Sequence, residues 1–162
     1  MSLEIHTSYV TEAVLLNLLL PCQSLMSLHF HDCRDTFITG KLFCNDLVVS
    51  HIKLALPNLK ELCFSDNGSY LSDALFDRFM TLVSTLNYLS FSGTAVSFHP
   101  GIHKKFYSEN KVEGNKSSEL VLTFDCILGH IAKHCTSVKC LDFSSTPIDD
   151  KACISLSKVL FY

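Results

Sequence analysis

A short line of alternating apolar and polar positions occurs four times along the chain. Each copy contains an apolar residue, a leucine three positions later and a phenylalanine two positions after that. The copies occupy residues 25–30, 59–64, 86–91 and 138–143. Because successive side chains of a strand point to opposite faces, the leucine and the phenylalanine are predicted to face a core while their neighbours face away. The pattern therefore predicts four short strands with one buried face each.

A small polar or thiol side chain follows each phenylalanine by three positions. We predict that it turns the chain and satisfies buried backbone groups by hydrogen bonding. The four residues are Cys33, Asn67, Thr94 and Thr146.

Helical patterns follow three of the four copies, in residues 38–52, 71–83 and 148–160, and residues 10–22 give a further helix. This further helix is interpreted as part of an earlier unit whose strand is missing. One strand and one helix cannot bury their apolar faces alone, so the units are predicted to stack into one parallel sheet. Residues 98–119, rich in Pro, Gly, Asn, Ser and Lys, are predicted to form an inserted loop.

The spacing and the motifs resemble those of leucine-rich repeat proteins. The copies begin at residues 25, 59, 86 and 138, so the second and third lie 27 residues apart, within the repeat length of about 20–29 residues. The segments FITGKL, YLSDAL and PIDDKA follow the strands, and Cys22 and Cys135 precede Leu25 and Val138 by three residues. The pattern is similar to the cysteine-containing type found in F-box/leucine-rich-repeat proteins. It departs from that type in its phenylalanines, its turn threonines and its insertion.

The resemblance implies an α/β fold: a right-handed leucine-rich repeat solenoid with a short parallel sheet and helices on the convex side. We expect a single domain over residues 1–162, with about four repeats and the insertion at 98–119. Neither end of the sequence has the pattern of a polar capping unit, so a fragment of a longer solenoid is one interpretation. Ends covered by a partner protein are the other.

Composition narrows the class of protein. Of the 162 residues, 48% are hydrophobic and 18% are charged, which permits a substantial core, and the net charge of -3 gives no reason to expect binding to nucleic acid or to a membrane. The apolar run at residues 13–22 is too short to span a bilayer, and Glu4 and Glu12 precede it where a signal peptide would carry positive charge. We predict an intracellular protein, cytoplasmic or nuclear.

The cysteine and histidine residues provide the candidate chemistry. The eight cysteines include no Cys-x-x-Cys pair and are interpreted mainly as buried apolar side chains. His29, His31 and Cys33 suggest a metal cluster, but no third ligand reaching outward accompanies the histidines, so they are interpreted as polar residues of a binding face. His130 and His134 lack the glutamate of a zinc-protease motif, since Ile131 occupies its place, and a solvated helix flank is predicted.

No nucleotide-binding or hydrolase motif occurs, so we predict neither an enzyme nor a cofactor. Instead, the outward strand positions are predicted to form a concave binding face with Tyr88 as its first anchor, because aromatic residues dominate interface hot spots. Cys63 and Cys140 are predicted to be exposed on it. The face comprises Ser27, His29, His31, Glu61, Cys63, Ser65, Tyr88, Ser90, Ser92, Cys140, Asp142 and Ser144.

These expectations favour a protein-protein interaction module. By resemblance it is the substrate-recognition part of a cullin-RING (SCF) ubiquitin ligase, whose partners are ligase components and a substrate protein. No F-box pattern occurs, because the amino-terminal stretch lacks the Leu-Pro opening and the Trp of that motif. The alternatives are a leucine-rich-repeat scaffold or inhibitor outside ubiquitination, similar to ribonuclease-inhibitor-type proteins, and a zinc- or thiol-dependent activity.

Overall fold

A computed structural model describes residues 1–6, 10, 12–33, 56–67, 71, 73–80, 83, 85–97, 122–146 and 148–160. Within these residues the chain forms seven strands and four helices. In chain order they are β1 (Ser2–His6), α1 (Glu12–Leu19), β2 (Ser27–His31), β3 (Glu61–Ser65), α2 (Asp73–Met80), β4 (Tyr88–Ser90), β5 (Val96–Ser97), β6 (Leu122–Thr123), α3 (Phe124–His134), β7 (Cys140–Asp142) and α4 (Asp150–Leu160).

Five strands form one parallel sheet in the order β1-β2-β3-β4-β7. Its register aligns one leucine from each of the five strands in one row, and all but the two at the sheet edges are fully buried. This row consists of Leu3, Leu28, Leu62, Leu89 and Leu141. The prediction of a mixed α/β protein with a parallel sheet is confirmed.

A stack of phenylalanines runs beside the leucine row. The ring centroids of Phe30 and Phe64 lie 5.7 Å apart, those of Phe64 and Phe91 lie 5.9 Å apart, and those of Phe91 and Phe143 lie 5.5 Å apart, all in stacked orientation. Each ring is 9% exposed or less. Truncating a buried phenylalanine to alanine typically costs about 3–5 kcal/mol. The stack therefore joins four segments of the chain into one core.

Three of the four turn residues bind the backbone of the neighbouring segment in the sheet, whereas the Thr146 hydroxyl donates to the carbonyl of Phe143 in its own segment. The Cys33 thiol donates to the carbonyl of Ile5 (3.2 Å), Asn67 Nδ2 donates to the carbonyl of Phe30 (3.0 Å), and the Thr94 hydroxyl donates to the carbonyl of Phe64 (2.7 Å). The prediction that small polar side chains satisfy buried backbone groups at these turns is confirmed. The hydrogen bonds also connect each segment to its neighbour, which the sequence pattern alone did not indicate.

The residue before each turn side chain has a left-handed backbone. The φ angles are 48° at Asp32, 56° at Asp66, 64° at Gly93 and 57° at Ser145. At Gly93 an added Cβ would lie 2.0 Å from Oδ1 of Asp66, so a larger residue would displace the Asp66 side chain and strain the backbone. The same backbone turn is thus repeated in four segments, with one glycine and three residues that tolerate the left-handed region less well.

The predicted helices are confirmed where the structure describes them. Helices α1, α2 and α4 lie within residues 10–22, 71–83 and 148–160, and the amide of Ala152 donates to Oδ1 of Asp149 (2.9 Å), which caps α4. The helical pattern at 38–52 and the loop predicted at 98–119 lie outside the described residues.

The interpretation that α1 belongs to a unit whose strand is missing was wrong. Residues 2–6 form β1, which pairs with β2 along its full length. This strand escaped the repeat pattern because Ile5 replaces the phenylalanine found in the other copies. The sheet therefore has one strand more than the four that the pattern predicted.

One continuous core lies between the sheet and the helices. It joins the leucine row and the phenylalanine stack to apolar side chains of α1, α2, α3 and α4, among them Leu15, Phe76, Ile127 and Ala152. Helix α2 also contacts α3, and α3 contacts α4. Because the core takes one face of the sheet, the other strand face carries the side chains available for contact. No helix among the described residues is long and apolar enough to cross a bilayer.

Candidate functional site: the polar face of the sheet

The side chains that alternate with the core residues form a second set of rows, called here the polar face. In the register of the sheet, Ser27 pairs with Glu61, Glu61 with Tyr88, and Tyr88 with Cys140. A second row joins Glu4, His29, Cys63, Ser90 and Asp142. At one end His6, His31 and Ser65 align. The side-by-side arrangement expected for the strand residues of the predicted binding face is therefore observed, and Ser92 and Ser144 follow the ends of β4 and β7.

Exposure divides the twelve predicted face residues. His29, His31, Glu61, Tyr88, Ser92, Cys140, Asp142 and Ser144 are exposed or partly exposed. The other four, Ser27, Cys63, Ser65 and Ser90, are buried. The expectation that Cys63 is exposed was wrong: its side chain is 5% exposed, whereas Cys140 is exposed as predicted. Alternation along the strands therefore correctly predicts the face on which these side chains lie but not their accessibility.

Tyr88 is fixed by a network centred on Asp142. The tyrosine hydroxyl donates to Oδ2 of Asp142 (3.2 Å), and the Ser90 hydroxyl donates to the same oxygen (3.0 Å). Oδ1 accepts hydrogen bonds from the backbone amide (2.8 Å) and the hydroxyl (2.5 Å) of Ser144. These bonds, led by those from Ser144, lower the pKa of Asp142 and keep it ionised. The network orients an aromatic side chain on the polar face before any partner binds.

Histidines occupy the other end of the polar face. The rings of His6 and His31 stack with their centroids 4.6 Å apart, and His29 lies 6.1 Å from His31. His29 Nε2 is hydrogen bonded to the Ser27 hydroxyl (2.8 Å), and His6 Nε2 to Glu4 (3.3 Å). Cys33 is buried and directed into the core, as expected from its turn position. Across the described residues no group of three His, Cys, Asp or Glu side chains is arranged to hold a metal ion.

A second polar cluster, which the sequence interpretation missed, lies in a groove of about 720 Å³ between α2 and α3. His130 Nε2 donates to Oδ1 of Asp77, and the Cys126 thiol donates to the same oxygen (3.3 Å). Asp73 accepts from the amide (2.5 Å) and the hydroxyl (2.7 Å) of Thr123 at the start of α3. These contacts connect α2 to α3.

The interpretation of His130 and His134 as one solvated helix flank was wrong for His130. Its side chain is 9% exposed and packs edge-on against Phe76, whereas His134 is exposed. Cys126 and His130 are four residues apart and therefore share a helix face. That spacing, together with the buried Ile127 and Ile131 beside them, was the signal in the sequence that could have indicated the cluster.

The cluster does not activate its thiol. Burial, the negative charge of Asp73 and the hydrogen bond to Asp77 all raise the pKa of Cys126 far above its ordinary value. The cysteine is therefore held as a protonated thiol, the less nucleophilic form. The arrangement suits a structural connection between two helices.

Comparison with protein-family models and with curated proteins found no match for this chain.

Proposed function

We propose that the chain is a leucine-rich repeat solenoid and that the polar face of its sheet binds another protein. The supporting features are the repeated order of strand, left-handed residue and turn side chain, the helices that pack on one face of the sheet, and the hydrogen bonds that connect each segment to the one before. Such units bury apolar surface only by stacking, and their strands leave one face available for extended contacts.

The observation that carries the proposal is the orientation of Tyr88. Its ring lies on a strand of a hydrogen-bonded sheet, it is partly exposed, and its hydroxyl is held by Asp142. A preorganised aromatic side chain contributes contact area to an interface at little cost in conformational entropy. By contrast, the Cys126 cluster lacks an activated nucleophile, which favours binding over catalysis in the proposed function.

The more specific form of the proposal is an intracellular substrate-recognition part of a cullin-RING ubiquitin ligase. It relies on the resemblance of the repeat pattern to F-box/leucine-rich-repeat proteins. Its partners would be ligase components and a substrate protein.

Tyr88→Ala and Leu89→Ala together test the binding proposal. Tyr88→Ala should weaken partner binding at a much smaller cost in stability than Leu89→Ala, because the ring lies on the accessible face and the main loss is its hydrogen bond to Asp142. Leu89→Ala should lower the free energy of unfolding by about 2–5 kcal/mol, because Leu89 is fully buried in a central strand. Calorimetry or chemical denaturation measures stability, and capture of partners from cell extract by the tagged protein measures binding. Unchanged capture by Tyr88→Ala would refute Tyr88 as the anchor.

The identity of the captured proteins separates the specific proposals. Recovery of a cullin, its adaptor and ubiquitin machinery supports the ligase assignment. Recovery of another protein set without them supports a scaffold or inhibitor. Elemental analysis of the purified protein addresses a zinc-dependent activity, which requires stoichiometric zinc.

A further inference from the structure

The polar face has an uneven charge distribution. The five strands of the sheet contain no lysine and no arginine, but they place three carboxylates on this face. Glu4 lies on β1 beside the histidines, while Glu61 lies on β3 and Asp142 on β7. His6 is hydrogen bonded to Glu4, so the half of the face around Tyr88 has two carboxylates and no cationic side chain on its strands.

The negative charge of Asp142 is not cancelled by a neighbouring cation, because its hydrogen-bond donors are neutral groups. All four of its hydrogen bonds come from hydroxyl groups or from a backbone amide, supplied by Tyr88, Ser90 and Ser144. These donors stabilise the ionised carboxylate without cancelling its charge. Asp142 is partly exposed, so the charge is available to a group arriving from solvent.

Glu61 supplies a second carboxylate on the other side of Tyr88. It aligns with Tyr88 across neighbouring parallel strands, and its side chain is exposed. In the described part of the chain, Glu61 has no hydrogen bond or ion pair through its side chain. An aromatic ring flanked by carboxylates suits a guanidinium group, which stacks on the ring face, hydrogen bonds to Glu61 and is attracted by the charge of Asp142.

We propose that the polar face binds an extended basic segment of a partner protein and seats an arginine or lysine side chain among Glu61, Tyr88 and Asp142. This inference specifies the chemistry of the partner and rests on the proposed function of the face as a protein-binding surface. The occupant is thus a cationic peptide segment.

The buried thiol of Cys63 lies between strands β1 and β7, in the same row of the polar face as Glu4 and Asp142. Its pKa is raised to about 11, first by burial and then by the negative charges of Glu61, Asp142 and Glu4. Residues from three strands therefore act on one central position.

The size of the sheet sets the length of the probe. Five strands spaced about 4.8 Å apart span about 19 Å, which an extended chain covers with about six residues. We therefore propose a fluorescein-labelled peptide of alternating arginine and serine, compared with one of alternating glutamate and serine. Fluorescence anisotropy with the full chain should give a dissociation constant at least about tenfold lower for the arginine peptide, and its affinity should fall as salt is raised.

Glu61→Gln is the decisive variant, because it removes one charge from an exposed side chain and keeps its shape. The affinity of the Glu61→Gln protein for the arginine peptide should be about three- to tenfold lower than that of the unmodified protein. Asp125→Asn is the matched control: it removes the same charge from an exposed position on α3, outside the five-stranded sheet and its polar face, and should leave the affinity within about twofold. Circular dichroism should show both variants folded.

The possible results separate this inference from the proposed function. Equal binding of the two peptides, or equal losses in Glu61→Gln and Asp125→Asn, would overturn the basic-segment inference. If Tyr88→Ala still reduced capture of partners in that case, the face would bind a protein of different charge. If Tyr88→Ala changed neither peptide binding nor capture, the proposed binding face itself would be refuted.

Discussion

Asn67→Ala should be among the most destabilising polar substitutions in this protein. Asn67 is fully buried, and its side-chain amide makes two hydrogen bonds to the backbone of another segment. Oδ1 accepts from the amide of Cys33 (2.8 Å), and Nδ2 donates to the carbonyl of Phe30 (3.0 Å). Alanine removes both partners and leaves two backbone groups buried, because Cys33 and Phe30 are 0% and 1% exposed.

The magnitude follows from the two hydrogen bonds that are lost. Each buried backbone group that loses its partner costs about 1–3 kcal/mol, so Asn67→Ala should lower the free energy of unfolding by about 4 kcal/mol. For a chain of 162 residues this corresponds to a fall of about 8–16 °C in melting temperature. Urea denaturation monitored by circular dichroism measures the change, with the midpoint expected to fall at unchanged slope.

Asn58→Ala provides the matched control. Asn58 Nδ2 also donates to a backbone carbonyl of another segment, that of Gln23 (3.3 Å), but the site is exposed and water replaces the lost partner. Its free energy of unfolding should change by less than about 0.5 kcal/mol. A cost below about 1 kcal/mol for Asn67→Ala, or equal costs for the two variants, would refute the claim that buried turn side chains hold the segments together.

Three further predictions concern the left-handed turn residues, the stability of the protein at low pH and the reactivity of the cysteines. Gly93→Ala should destabilise by about 2 kcal/mol in urea denaturation, whereas Ser145→Gly at the equivalent left-handed position should be neutral or stabilising. Folding lowers the pKa of Asp142 below 3.8, so its ionised carboxylate stabilises the protein above about pH 4, and this stabilisation is lost on further acidification. In thermal melts at a series of pH values, the melting temperature of Asp142→Asn should therefore fall less on acidification than that of the unmodified protein. At pH 8, iodoacetamide should alkylate exposed Cys140 before buried Cys63, as followed by peptide mass spectrometry; the reverse order would contradict the assigned environments.

The repeat pattern predicted the sheet well, because each strand follows a simple physical rule. A leucine and a phenylalanine two positions apart must face the same side of a strand, and that side must be covered. The same rule failed at β1, where Ile5 replaces phenylalanine and the copy could not be recognised. It also failed to indicate which polar-face residues are accessible, since the burial of Cys63 and Ser90 depends on side chains from neighbouring strands.

The Asp77-His130 contact could not be predicted, because it joins residues 53 positions apart. No periodic pattern relates Asp77 on α2 to His130 on α3. Alternation and helical period describe neighbours along the chain, whereas this contact depends on how two helices pack. The Asp142 network could be predicted only in part from the sequence. The expected register places Ser90 beside Asp142, but it does not give the orientation of the Tyr88 hydroxyl.

The small β5-β6 pairing determines where the chain tolerates added length. Val96 pairs with Leu122 and Ser97 with Thr123, so Ser97 and Leu122 lie at adjacent positions although they are 25 residues apart in the sequence. On either side of this junction the rings of Phe91 and Phe143 still stack at 5.5 Å, close to the spacing elsewhere in the row. The β5-β6 pair is therefore a suitable insertion site, where we expect a foreign peptide or a reporter domain to be inserted without displacing the strands on either side.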